Sequence, residues 1–202
     1  LARTSDPEAA IGGFAVALGI SGLVALPQLR IQHLTLVFFE GPGSLARLRR
    51  FVVGFALLVT LLAALVGLTP LSGVVLERLF ATDGALRDEA ALSLMVLVPF
   101  PALMIARMHL YGIALRAERP LIVWAGTAGG ASTVLLGAAA LLAAGVDGAP
   151  VAAIAVTAGA TIEVVALLLA TRPIRQAPGG VGAETPTQRA LMRFFTPLLF
   201  AA

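Results

Sequence analysis

The sequence predicts an all-α integral membrane protein, with five transmembrane helices and the start of a sixth. Composition, hydropathy and the spacing of apolar runs carry this reading. Apolar residues make up 59% of the 202-residue chain and charged residues only 12%, against about 45–50% and about 25% in a soluble domain. Mean hydropathy is +0.98. The apolar residues fall into runs of roughly 20 or more, the length that crosses a bilayer as a helix. So little polar surface cannot cover the chain in water, which excludes a soluble enzyme, a nucleic-acid partner and a disordered tail. The expected setting is a lipid bilayer, with the chain multi-pass in a cell membrane, the bacterial cytoplasmic membrane being the expected one.

The elements follow in order. Asp6-Pro7-Glu8 reads as a helix start: Asp caps, Pro fits the first turn, and Glu suits the positive end of the helix dipole. The apolar run from Ala9 to Phe39 reads as one long span, kinked at Pro27, which Glu40-Gly41-Pro42-Gly43 ends. Arg47, Arg49 and Arg50 precede an uncharged run from Phe51 to Leu76, a second span expected to end near Thr69-Pro70. Residues 71–90, with Glu77, Arg78, Asp83, Arg87, Asp88 and Glu89, read as an interfacial turn of helix followed by a Thr82-Asp83-Gly84 turn. The third span is placed from about Ala90 to Leu115, with Pro99 and Pro101 in its first half. Pro120 opens the fourth span, to about Ala144, and Pro150 the fifth, to about Ala170. Residues 172–188 are Pro- and Gly-rich and polar, the expected linker, and a new apolar helix starts at Arg189. Leu1 in place of Met, and Ala202 inside an apolar run, suggest a chain cut at both ends, and no signal-peptide pattern opens it.

All fourteen basic residues are arginine, for a net charge of +3. Segments 40–50, 116–120 and 172–193 hold nine of them, and the opposite side holds Arg3, Arg78 and Arg87. By the positive-inside rule the first set is cytoplasmic. With no cysteine, disulfides, zinc–thiolate sites and Cys nucleophiles are excluded. The two histidines are not adjacent in sequence, so no metal site is expected, and no cofactor either.

Charges inside spans direct the search for function, since each costs about 2.5–3.5 kcal/mol to insert. They are Arg30, Arg107 and Glu163, with His33 and His109 nearby. Counted from the cytoplasmic ends at 1.5 Å per residue, Arg30 lies roughly 14 Å deep, Arg107 and Glu163 roughly 12 Å, and both histidines roughly 9 Å. Facing one cavity, two arginines and one glutamate would make a positive pocket suited to an anion. Alternatively the arginines snorkel to headgroups, and Glu163 is a structural partner of one of them or a coupling carboxylate. His33 and His109 read either as ligand contacts or as local hydrogen-bonding groups, and Tyr111 as a substrate contact or an interface anchor. Pro27, Pro99 and Pro101 break helices where lipid cannot satisfy the freed carbonyls, as static kinks or as hinges bordering a cavity. Gly126-x-x-x-Gly130 and Gly159-x-Thr161 read as packing surfaces. No phosphate-binding loop, HExxH motif or nucleophile elbow is visible, so no enzyme is expected.

A long helix with a central Pro, followed by LTLVFFEGPGSLARLRR, resembles the second helix and basic loop of multidrug and toxic compound extrusion (MATE-type) transporters and the wider flippase superfamily. FPALMIARMHLYGIALRAERPLIV resembles the fourth helix and its following loop. Phe100-Pro101, Gly112-Ile113, Leu115-Arg116 and Leu121–Val123 look like the progressive ankylosis (pyrophosphate/ATP-export) branch, as does LPQLRIQHLTLVFF. RALMRFFTPLLF looks like the first helix of the second six-helix lobe.

The resemblance implies alternating access between two six-helix lobes. Residues 1–171 would supply most of the first lobe, 172–188 a cytoplasmic inter-lobe linker, and 189–202 the start of the second lobe, the rest of which would be the chain's partner. It implies a secondary active transporter, an antiporter-type efflux protein exporting an organic, anionic solute, driven by a proton or sodium gradient. Arg30 and Arg107 would hold the anion and Glu163 would balance charge or couple protons. A lipid-linked saccharide flippase is the same-class alternative, and a membrane-embedded transferase or hydrolase the other.

Overall fold

The structure, a computed structural model, describes residues 6–39, 42–176 and 187–200. The described residues form helices α1 (Pro7–Ala25), α2 (Gln28–Phe38), α3 (Pro42–Gly67), α4 (Leu71–Phe80), α5 (Gly84–Val96), α6 (Phe100–Arg116), α7 (Pro120–Ala143), α8 (Pro150–Ala170), α9 (Arg172–Gln176) and α10 (Gln188–Phe200). Four stretches are long and apolar enough to cross a membrane: Pro7–Phe38, Ser44–Gly67, Pro120–Ala143 and Pro150–Ala170. Helices α5 and α6, bent by 47° at their break, make a fifth if counted as one span. Outward-facing side chains agree with an apolar setting: Leu121 is 80% exposed, Trp124 73% and Leu135 73%, more apolar surface than a soluble monomer tolerates.

The helix starts are built as the sequence predicts. Asp6 Oδ1 accepts from the Ala9 N–H at 3.1 Å, with Pro7 in the first turn. At Pro27, where no N–H can reach the Leu23 carbonyl, that carbonyl takes the Leu26 N–H instead at 3.3 Å. The break is shallow, and α1 and α2 remain one 32-residue span. At Pro101 the same substitution occurs, with the Leu97 carbonyl taking the Phe100 N–H at 3.0 Å. This break is the sharp one.

Three boundaries differ from the sequence reading. The helix of the expected second span begins at Pro42, not Phe51, so Arg47, Arg49 and Arg50 lie on its first turns and not in a loop. The helix of the expected third span begins at Gly84, not near Ala90, and Ala90, Ser93 and Leu94 bury one face of it. The linker opens with a short helix, α9, whose Ile174 packs into the core. Residues 40–41 and 177–186 of the expected loops lie outside the described residues.

Lipid is as apolar as leucine, so helices in it associate through close packing rather than through burial from water. Small residues supply that packing. A Cβ at Gly13 would lie 2.9 Å from the Ala90 backbone nitrogen, so α1 lies almost backbone to backbone with α5. A Cβ at Gly112 would lie 2.6 Å from Thr35 Cβ, which seats α6 against α2. A Cβ at Gly159 would lie 2.8 Å from the Gly130 carbonyl oxygen, which fixes the α7–α8 hairpin. Helix α6 is central, touching α1, α2, α3, α7 and α8 and buried from Met108 to Ala114. Leu191 and Phe195 dock α10 on α2 and α3, with Phe195 edge-on to Phe51 and Phe55.

The arginine-rich segments converge at one end. Arg116 Nε donates to the Phe39 carbonyl at 3.4 Å, and α9 touches α3 and α8. At the other end Arg87 pairs with Glu77 at 2.5 Å. There Glu89 Oε2 accepts the Ala149 N–H at 2.6 Å, tying the start of α5 to the start of α8.

Candidate functional site

Glu163 on α8 is 4% exposed. A buried carboxylate persists only when it is paired and hydrogen-bonded, and two neighbouring helices, α6 and α7, supply the partners. Arg107 Nη1 on α6 reaches Oε2 at 3.2 Å. Tyr111, one turn further along α6, donates its hydroxyl hydrogen to Oε1. Thr127 Oγ1 on α7 lies 3.2 Å from Oε1 and 2.6 Å from the Tyr111 oxygen, with one proton to give to either. The Arg107 guanidinium also sits over the Tyr111 ring, 5.8 Å from its centroid. The spacing of four residues places Arg107 and Tyr111 on one face of α6.

Glycine makes the room. A Cβ at Gly130 would lie 3.0 Å from Glu163 Oε2, and one at Gly126 would lie 3.0 Å from a methyl of Leu167. The Gly126-x-x-x-Gly130 stretch is therefore the packing surface expected, and it also admits the carboxylate.

The cluster lines a cavity of 240 Å³ whose wall includes Phe100, Met104, Arg107, Thr127, Val134 and Glu163. Arg107 Nε is buried and has no acceptor. Phe100, the first residue after the α5–α6 break, is part of that wall, and Pro101 beside it is buried. The sharp break thus borders the cavity, while Pro99 itself is exposed.

Of the residues singled out in the sequence, the structure brings together Arg107, Tyr111 and Glu163. Arg30 is half-buried on α2 and is not part of the cavity wall. His33 is exposed on α2. Pro27 is not in the wall either. His109 points toward α2, where its Nδ1 lies 2.9 Å from Thr35 Oγ1. Thr35 gives its proton to the Ile31 carbonyl at 2.8 Å, so His109 carries its hydrogen on Nδ1 as donor. With Arg107 and Glu163 as the charged members of the wall, the cavity is neutral overall, not positive. Thr127 was not foreseen. It carries no charge to mark it, and only its place in the small-residue run of α7 signals a close neighbour.

Comparison of the chain with protein-family models, with curated proteins and with solved structures gave no match.

Proposed function

We propose that this chain forms part of a secondary active transporter, exporting an organic anionic solute by alternating access, with its solute site in the cavity beside Arg107 and Glu163. The observation that carries the reading is a buried ion pair on a cavity wall in which one arginine donor, Nε, still lacks an acceptor. Buried charge inside an apolar helix bundle is costly and points to function by default.

In the paired state the charge of Arg107 is spent on Glu163. A proton arriving on Glu163, or a sodium ion taken by its oxygens, frees the guanidinium for a carboxylate or phosphate of the solute. Anion and coupling cation then occupy the site together and cross in the same direction, so this scheme couples export to an outward-directed gradient of the cation, as symport. Tyr111 and Thr127 orient the carboxylate, and the break beside Phe100 supplies the flexible wall.

The experiment is transport by the full chain in vesicles under an imposed pH or sodium gradient, with a panel of organic carboxylates and phosphates. Arg107→Ala is expected to abolish anion movement in folded protein, with Arg107→Lys retaining part of it as a point charge. Glu163→Gln is expected to uncouple movement from the gradient. Movement unaffected by Arg107→Ala would remove the reading.

A further inference from the structure

Away from the cavity, α9 packs against α3 at the basic end, which brings the exposed Arg49 and Arg172 near the half-buried Arg175. Helix α9 is held firmly there. Ile174 packs into the core, and Arg175 Nη2 donates to the Leu168 carbonyl in the last turn of α8 at 2.7 Å. That contact also covers the negative end of the α8 dipole. Arg175 Nε is buried with no acceptor. Among the described residues no carboxylate forms an ion pair with any of the three arginines. Burial and the positive charges of Arg49 and Arg172 press the Arg175 pKa below its ordinary value, although a guanidinium stays charged at any working pH. Three like charges are thus held together by packed backbone, with a buried donor left open.

We propose that Arg49, Arg172 and Arg175 form a binding site for a phosphate group, carried by the headgroup of an anionic phospholipid or by a free phosphate. Arg49 and Arg172 are exposed, as arginines that only orient a membrane protein are, but they flank Arg175, whose buried Nε has no acceptor. Here one phosphate would supply both the acceptor that Arg175 Nε lacks and the negative charge that no carboxylate among the described residues brings to the three. Guanidinium planes match phosphate oxygens two at a time. The cluster sits just past the end of α8, the level at which anionic headgroups draw basic side chains.

The test uses the full chain purified in a neutral detergent and stripped of lipid. Phosphatidylglycerol, phosphatidylcholine and inorganic phosphate are added separately at fixed ionic strength. The readouts are the thermal midpoint and the lipid retained in native mass spectrometry. Phosphatidylglycerol is expected to raise the midpoint saturably where phosphatidylcholine does not. The Arg172→Gln/Arg175→Gln variant is expected to bind at least roughly tenfold more weakly, the worth of one charged hydrogen-bonding contact. Arg78→Gln, at the other end, should bind as the parent does.

Equal stabilisation by inorganic phosphate, lost in the same variant, assigns the site to free phosphate. No response to phosphate assigns it to the lipid. Should the double variant fail to fold, Arg49→Gln alone leaves the anchor on Leu168 intact and must still weaken binding severalfold. Binding unchanged in these variants, or no response of the parent to either phosphatidylglycerol or inorganic phosphate, overturns the site.

Discussion

Gly130 on α7 faces Glu163 on α8 so closely that a Cβ there would sit 3.0 Å from Oε2 and 3.1 Å from the glutamate Cβ. Neighbouring Gly129 meets nothing within 4 Å. In an exposed helix Gly→Ala stabilises by roughly 0.5–1 kcal/mol. Gly129→Ala should therefore keep or raise the thermal midpoint. Gly130→Ala should lower it and weaken transport, because the carboxylate must shift. Gly159→Ala should be worse still, at about 1–3 kcal/mol of overpacking, since its Cβ would meet Val134 at 2.5 Å and the Gly130 carbonyl at 2.8 Å. A Gly130→Ala variant as stable as Gly129→Ala would show that the contact yields freely.

Breaking the Glu163 pair should cost more than removing it. Glu163→Ala leaves a guanidinium uncompensated, at about 3 kcal/mol, the low end for a buried pair because Arg107 keeps 24% side-chain exposure. Arg107→Ala strands the more deeply buried carboxylate and should cost at least as much. The double variant should lose less than the sum, with a coupling of about 1–3 kcal/mol in a chemical-denaturation cycle. Additive losses would mean that the two charges do not interact.

His109 and His33 separate structure from site. Thr35→Val removes the acceptor of His109 Nδ1–H and should cost about 1–3 kcal/mol without changing solute preference. His33→Ala should be neutral in both respects. A change of solute preference on substituting either residue would bring α2 into the transport path.

The two ends of the bundle should face opposite sides of the membrane. Arg119 lies at the arginine-rich end and Asp83 at the other, both exposed, and no native cysteine interferes. An impermeant maleimide added to intact cells should label an Asp83→Cys variant and leave Arg119→Cys untouched until the cells are opened. The reverse pattern would contradict the positive-inside assignment.

Helix ends were legible in the sequence because their chemistry is local. Asp6-Pro7-Glu8, Pro120 and Pro150 each sit within a residue of a helix start. The start of α5 was not, since Arg87, Asp88 and Glu89 lower the hydropathy of a turn that tertiary contacts nevertheless hold helical. The candidate site was legible in depth but not in direction. Arg30, Arg107 and Glu163 share a level, yet an α-helix turns about 100° per residue, so depth says nothing of facing. Only Arg107 and Glu163 point into the same space. Tyr111 followed from Arg107 by one turn of helix, whereas Thr127 needed the partner helix in place before it could be seen.

The link between Glu89 and the start of α8 gives the bundle a mechanical character. Helix α5 is fastened at one end to α8 and joined at the other to α6 through the 47° bend. Helix α5 also packs along α1, so its position is tied to α1, α6 and α8 together. Helix α8 carries Glu163 and α6 carries Arg107, so the bend lies on a structural path that joins the two halves of one ion pair. Opening the angle by a few degrees would stretch or relax that pair without any direct push on either side chain, and a proton that dissolves the pair would in turn loosen the joint.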